Sequence, residues 1–175
     1  MSRVSCIGCG ALVDDITGPV HAYMTAAPGC WALHGRLLVR SLEWGADRGT
    51  VQYRTDAYAA QHATNPDPRN RQSVVVHLMS LCATFELGLA PGTTTGLIGG
   101  WTHRPGGYPD LISNDRHGAL TVVDALEAGD AAAHAAAIER WARSVWDGWA
   151  PEHAQIRSLL AEYGFNEADG VSHRP

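Results

Sequence analysis

The sequence predicts a mainly α-helical protein, in which a helical bundle follows an irregular N-terminal segment that contains Cys and His residues. From Trp31 onward, apolar residues recur at intervals of three and four residues, as in helices that pack on a core. Few windows alternate as strands do, and residues 1–30 are rich in Gly, Pro and Cys. The 175 residues suffice for one domain with a hydrophobic core. We therefore expect a single domain with a Cys/His metal-binding segment at 1–30, a bundle at 31–163 and a frayed tail at 164–175.

The first half of the bundle is predicted to contain three helices. The first begins near Pro28, and its apolar residues continue to Leu42. The second covers residues 51–62, because the two prolines of segment 65–70 cannot continue a helix. The third, residues 72–87, is the clearest because its apolar positions form one continuous stripe. The members of that stripe are Val74, His77, Leu78, Leu81, Cys82 and Phe85.

The second half of the bundle shows weaker patterns. Residues 93–98 are predicted to form a short helical turn, and the Gly- and Pro-rich segment 101–118 a long connection. Residues 121–124 resemble a capping box for a short helix, with Asp in place of the usual Glu or Gln. Asp130 is expected to cap a long helix. Pro151 is expected either to kink that helix or to begin a new one. The apolar face of the long helix contains Ile138, Trp141, Val145 and Trp149.

The charge and hydropathy of the chain exclude several classes of partner. The net charge of −5 and the pI of about 5.9 argue against nucleic acid, because phosphate binding uses clustered Lys and Arg. No stretch approaches the roughly 20 apolar residues of a membrane span, and no apolar run typical of a signal peptide follows Met1. We therefore expect a cytoplasmic protein whose thiols stay reduced. The sequence leaves the oligomeric state open.

Three of the four cysteines lie in the first thirty residues, in a pattern that favours a metal site. Cys6 and Cys9 have the spacing of a metal knuckle, in which a tight turn directs two thiolates at one ion. His21 and Cys30 extend the pattern to C-x2-C-x11-H-x8-C. Three sulfurs and one imidazole are a tetrahedral ligand set of the kind that zinc prefers. The sequence therefore predicts a zinc site, either structural or catalytic, at Cys6, Cys9, His21 and Cys30.

Other uses of these residues stay open. A redox pair and unliganded buried thiols are the alternatives to a metal, although a redox Cys-x-x-Cys motif belongs in a βαβ unit, and none is visible here. The fourth ligand is also open. Cys30 and His34 lie four residues apart on a predicted helix and face the same side. The N-terminal segment could instead fold onto the third helix and use His77.

A second group of histidines lies in the predicted helices. His62 and Asp56 lie near the end of the second helix, and His153 follows the tryptophan-rich helix. His77 lies in an apolar stripe, where an imidazole without a partner costs about 1–3 kcal/mol. Three histidines from different helices can hold a catalytic metal with one open position. We therefore predict the site of a metal-dependent enzyme, a hydrolase, transferase or isomerase of a small molecule, at Asp56, His62, His77 and His153. Hydrogen-bonded core histidines are the alternative.

A third hypothesis is an interaction module rather than an enzyme. Trp141, Trp146 and Trp149 form a face that could bind a partner together with segment 101–118, although core packing is their more ordinary role. No nucleophile elbow, phosphate-binding loop or dinucleotide fingerprint is present. The sequence therefore identifies neither substrate nor partner.

Several motifs together resemble an uncharacterised bacterial family that is classed as a domain of unknown function. In order, from about Ser5 to His153, they are CIGCGA, GPVHAYMTAAPGCWALHG, DAYAAQH, RQSVVVHLMSLC, GALTVVDAL and WARSVWDGW. The family's pattern has a histidine at the position of His21 and usually an aromatic residue at that of His34. The resemblance thus implies His21 as the fourth ligand, and it brings no established activity. It also implies a shared pattern at Asp56, Gln61, His62, His77 and His153.

Overall fold

A computed structural model describes residues 2–104, 107–111 and 118–165, and in these ranges it shows two short strands and seven α-helices. The strands are β1 (Arg3–Ser5) and β2 (Leu12–Asp14). The helices are α1 (Pro28–Glu43), α2 (Arg48–Gln61), α3 (Pro68–Phe85), α4 (Pro91–Trp101), α5 (Val122–Ala125), α6 (Ala131–Gly148) and α7 (His153–Glu162). A 3₁₀ turn at Ala150–Glu152 connects α6 to α7. The predicted mainly α-helical class is confirmed.

Two predictions lie partly or wholly outside the described residues. Most of the predicted frayed tail falls in residues 166–175, which the description does not include. The same holds for residues 105–106 and 112–117 of the segment 101–118. Within the described ranges, no helix combines the length and the apolar character that crossing a membrane requires.

The N-terminal segment contains a β-hairpin that the sequence pattern did not predict. The strands β1 and β2 pair antiparallel, with Val4 opposite Val13. The turn between them contains both Cys6 and Cys9. Gly10 completes the turn with a φ of 75°, in the left-handed region that glycine adopts without strain. Strands of three residues are too short to show an alternating pattern, so the sequence of this segment reads as irregular.

Two helices begin earlier than predicted because aspartates cap them. Asp47 accepts a 2.7 Å hydrogen bond from the backbone N–H of Thr50 and thereby caps α2. Asp67 caps α3 in the same way, and Pro68 occupies the first turn, where its missing N–H costs nothing. One of the two prolines that separate α2 from α3, Pro68, therefore also starts α3. The helix α4 is likewise longer than the predicted turn, at 11 residues.

The predicted caps of the later helices are confirmed. Thr121 accepts a hydrogen bond from the backbone N–H of Val123, and Asp124 accepts one of 2.7 Å from the backbone N–H of Thr121. This reciprocal capping box starts α5. Asp130 caps α6 through a 2.8 Å hydrogen bond from the N–H of Ala133.

The helix α2 lies at the centre of the bundle, where it packs against α3, α4 and α6. The helix α7 packs on α3, and α1 contacts both β2 and α5. The core includes the three tryptophans of the suggested interaction face, since Trp141, Trp146 and Trp149 are all buried. They therefore offer no exposed face to a partner, so the tryptophan part of the interaction hypothesis is wrong, whereas its other part, segment 101–118, lies partly outside the described residues.

Candidate metal centre

Four buried side chains meet where the hairpin contacts α1 and α2. Cys6 and Cys9 come from the hairpin turn, Cys30 from the first turn of α1, and His62 from the C-terminal end of α2. Their ligand atoms all lie within 4.8 Å of one another, and each residue is at most 3% exposed. Within the described part of the chain, this is the one group of three or more Cys, His, Asp or Glu residues that meets in this way.

The separations within the group fit a tetrahedral zinc site. The sulfur of Cys9 lies 3.7 Å from that of Cys30, and Nε2 of His62 lies 3.6 Å from Cys6 Sγ and 3.5 Å from Cys30 Sγ. Zn–S bonds of about 2.3 Å and Zn–N bonds of about 2.0–2.1 Å imply tetrahedral edges of about 3.8 Å between sulfurs and about 3.6 Å between sulfur and nitrogen. The cysteines are free thiols, because a disulfide requires an S–S separation of about 2.05 Å.

The hairpin turn is shaped to fit against the imidazole. The backbone N–H of Cys6 donates to the carbonyl of Ala11, and that of Gly10 donates to the carbonyl of Cys6, each at 2.8 Å. A Cβ atom on Gly8 would lie 2.3 Å from Cδ2 of His62, a separation that atoms cannot adopt. The turn therefore lies directly on the ring, and position 8 requires glycine.

Hydrogen bonds around the group orient its ligand atoms. Nδ1 of His62 donates to the backbone carbonyl of Tyr58 at 2.7 Å, so that Nε2 is the ring nitrogen that faces the sulfurs. The Tyr58 hydroxyl donates to Cys30 Sγ at 3.7 Å, and the N–H of Ala27 donates to Cys6 Sγ at 3.4 Å. Burial and the neighbouring Cys30 raise the pKa of Tyr58, so its hydroxyl remains a donor.

Hydrogen bonds among the thiols and the imidazole shift the pKa values of the group in opposite directions. Hydrogen bonds from Cys30 and Cys9 lower the pKa of Cys6, whereas the hydrogen bond to Cys6 raises the pKa of Cys30. Burial alone lowers the pKa of His62, but its contacts with Cys6 and Cys9 outweigh burial and raise the pKa to about 9. A divalent cation would replace the protons that these groups share, because metal ligands bind in their deprotonated forms.

The structure corrects the predicted fourth ligand. It brings Cys6, Cys9 and Cys30 together as expected, but His62 rather than His21 completes the group. Nδ1 of His21 accepts a 3.4 Å hydrogen bond from the backbone N–H of Tyr23 in the same loop. The physical reason is that α2 packs beside α1, which brings the end of α2 to the cysteines. This approach depends on tertiary packing and has no signal in the local spacing.

The alternative ligand His34 lies beside the group but not in it. Its ring stacks on Tyr58, with ring centroids 4.0 Å apart, and its Nε2 lies 3.4 Å from the guanidinium of Arg54. Burial and the charge of Arg54 lower the pKa of His34 to about 3, so the imidazole is neutral near pH 7.

The predicted catalytic group of Asp56, His62, His77 and His153 is not assembled. His62 belongs to the cysteine group, whereas Nδ1 of His77 lies 2.6 Å from the carboxylate of Asp56. His153 stacks on Trp146 and bonds to its backbone carbonyl at 2.9 Å. The separation follows from the fold, because His62 faces the hairpin and His153 begins α7 after the 3₁₀ turn.

Fold and site together define a mainly helical protein with a buried Cys3His group that could hold a metal ion. The chain belongs to a family described as a "Family of unknown function (DUF5946)", which it matches over residues 4–150. The resemblance to a family of unknown function is thereby confirmed. No curated protein and no solved structure matches the chain.

Proposed function

We propose that this chain is a zinc protein, in which a closed structural centre of Cys6, Cys9, Cys30 and His62 fastens the hairpin to the helical bundle. The observation that carries the proposal is the set of four buried protein ligands at tetrahedral separations. A catalytic zinc usually has three protein ligands and an open position for water, whereas four protein ligands close the site. The geometry therefore favours a structural role over a catalytic one.

The ligand chemistry favours zinc over other common ions. Thiolates and imidazole are soft or borderline donors, which suit zinc, whereas magnesium and calcium prefer oxygen ligands. The ligand set also requires reduced thiols, and this requirement supports a cytoplasmic location for the chain.

The centre contributes to folding because its ligands are distant in sequence. Cys6 and His62 are 56 residues apart, and their atoms approach each other only in the folded chain. The free energy of metal binding therefore adds to the free energy of folding.

Metal analysis of single variants tests the proposal. We expect one zinc per chain in tag-free protein by elemental mass spectrometry, and loss of that zinc in Cys6→Ser and in His62→Ala. His21→Ala is the matched control, because it also removes an imidazole from the N-terminal region, and it should retain the metal. Absence of metal from the parent chain, or retention of zinc by His62→Ala, would contradict the proposal.

Cobalt substitution distinguishes a closed centre from an open one. The Co²⁺ form should show the visible bands of tetrahedral thiolate ligation, and added azide should leave them unchanged because no position is free. A spectrum that shifts with azide would instead indicate an open, catalytic site.

A further inference from the structure

Asp56 and His77 form a charge-assisted pair outside the metal centre. Nδ1 of His77 lies 2.6 Å from Oδ1 of Asp56, which is 1% exposed. The same carboxylate accepts hydrogen bonds from Nε2 of Gln52 at 2.6 Å and from Oγ of Ser80 at 2.7 Å. A carboxylate oxygen only accepts hydrogen bonds, so in the neutral ring of His77 the nitrogen that faces it, Nδ1, is the one that carries the proton.

The second nitrogen of His77 is left as a proton acceptor. His77 lines a cleft of about 240 Å³ on one side of α3. Its Nε2 makes no hydrogen bond to any residue in the described ranges. Because the proton of the neutral ring is held on Nδ1, the lone pair lies on Nε2. An aspartate that fixes the tautomer in this way is the arrangement by which proteins prepare a histidine as a general base.

The walls of the cleft suit a small uncharged molecule. Val76, Ile98 and the ring of Tyr23 are apolar surfaces along the cleft. Among the described residues that line the cleft, the one arginine, Arg69, forms a 2.7 Å ion pair with Asp67. These residues therefore present no unpaired cation for a phosphate or a carboxylate.

We propose that Asp56 and His77 form a general-base dyad for acyl transfer, with a small uncharged ester as substrate. In this step Nε2 of His77 takes a proton from a water molecule while the water oxygen bonds to the acyl carbon, and the π electron pair of the carbonyl moves onto the carbonyl oxygen. The C=O bond then re-forms as the ester C–O bond breaks. The alcohol oxygen leaves with that bond's electron pair and takes up the proton from Nε2 of His77, which gives the carboxylic acid and the alcohol. His77 is the catalytic residue, and Asp56 is a positioning residue that acts through it. No metal takes part in the step.

The charges of the described cleft lining favour an uncharged ester over a phosphate ester as the substrate. A general base can activate water for attack on an uncharged carbonyl group without the help of a cation. Attack on a phosphoryl group needs a cationic clamp for its charged oxygens, whereas the one arginine among the described lining residues, Arg69, is engaged with Asp67.

Hydrolysis of p-nitrophenyl acetate by the zinc-loaded chain tests the proposal. The background reaction of the ester with side-chain amines is low because the sequence contains no lysine. We expect a rate above that of equimolar imidazole, and a fall of at least about tenfold in both His77→Gln and Asp56→Asn. Glutamine at position 77 can still donate to Asp56, so the variant removes the base and keeps the bond. His103→Gln, which removes an exposed imidazole, is the matched control and should keep the parent rate.

Two further measurements separate chemistry from folding. Zinc content and thermal stability, measured on the same samples, show whether a variant has lost the metal centre, so this proposal and the proposed zinc centre can fail independently. In the parent chain, diethyl pyrocarbonate should abolish hydrolysis in proportion to carbethoxylation of His77, mapped by mass spectrometry. The proposal would be overturned by a parent rate no higher than that of imidazole, or by equal rates in the parent and His77→Gln. It would also be overturned if inactivation correlated with carbethoxylation of a different histidine.

Discussion

Gly8 lies between the two cysteines of the hairpin turn, where the backbone rests on the ring of His62. A Cβ at this position would lie 2.3 Å from Cδ2 of His62 and 2.4 Å from the carbonyl oxygen of Thr25. One neighbour is a backbone atom and the other belongs to a ring fixed by its own hydrogen bond, so neither can move cheaply. We therefore expect Gly8→Ala to lower the free energy of unfolding by about 1–3 kcal/mol, as overpacking does, and to weaken zinc binding.

Gly35→Ala is the matched control for this prediction. Gly35 lies inside α1, and a Cβ there would meet nothing within 4 Å. The substitution should therefore stabilise the chain by about 0.5–1 kcal/mol, because alanine loses less backbone entropy in a helix. Urea unfolding of the zinc-loaded proteins measures both changes. Equal effects of the two substitutions would show that position 8 has no special steric constraint.

The same residues show what the sequence can predict about the candidate site. Cys6, Cys9 and Cys30 could be selected from their spacing and their type alone. His62 could not, because it follows Cys30 by 32 residues and meets it only through the packing of α1 beside α2. His21 lies between the cysteines in sequence, but its ring is engaged within its own loop. Spacing identifies ligands within one segment, and the ligand supplied by a separate helix depends on tertiary structure.

The hairpin is the structural element that depends most on the metal. Its strands have three residues each, too few for stability on their own. We expect chelation of zinc to increase hydrogen exchange by at least about tenfold at the amides of Cys6, Gly10 and Asp15, whose bonds hold the hairpin and its turn together. Amides within α3 should change much less, because that helix packs against α2, α4, α6 and α7.

Readdition of zinc provides the control for the exchange experiment, since it should restore the slow exchange of the hairpin amides. Uniform acceleration along the chain would show that the metal supports the entire fold, and unchanged exchange would show that the hairpin is stable without it. Either result would contradict a centre whose main role is to fasten the hairpin.

At the level of the elements, the apolar period of α3 was the strongest signal, and the expectation that His77 needs a partner is met by Asp56. The starts of α2 and α3 were harder to predict. Nothing in the sequence distinguishes Asp47 and Asp67 from other loop residues. Only the structure shows that their side chains accept a hydrogen bond from a helix N–H. A capping box such as that of Thr121 is easier to recognise, because two residues at a fixed spacing carry it.

Buried polar contacts connect the helices across the whole molecule. Nε1 of Trp141 on α6 donates to Gln61 on α2 at 2.9 Å. His134, also on α6, is 1% exposed and lies 2.9 Å from Oγ of Ser41 on α1. Because Ser41 donates its own proton to the carbonyl of Leu37, Nε2 of His134 is the donor in this contact. The opposite nitrogen, Nδ1, is buried and has no hydrogen-bond partner in the described part of the chain.

This arrangement predicts that His134 reduces the stability of the fold in acid. Burial, together with the charges of Arg40 and Arg54, lowers the pKa of His134 below its ordinary value of 6.5. When the pH falls below 6.5, the unfolded chain therefore binds a proton at this residue before the folded chain does. The free energy of unfolding should be insensitive to this group above about pH 7.5 and decrease as the pH falls from 6.5 toward the lowered pKa.

The variant His134→Gln isolates this contribution. A glutamine amide can still donate to Ser41 but does not titrate, so the difference in stability between parent and variant should shift in favour of the variant as the pH falls. Urea unfolding of both proteins at pH 7.5, 6.5 and 5.5 measures the difference between their free energies of unfolding. Any loss of zinc in acid that affects both proteins equally cancels in this difference. His103→Gln, which removes an imidazole at an exposed site, is the matched control. A constant difference between parent and His134→Gln would mean that the buried imidazole takes up its proton as readily in the folded chain as in the unfolded one.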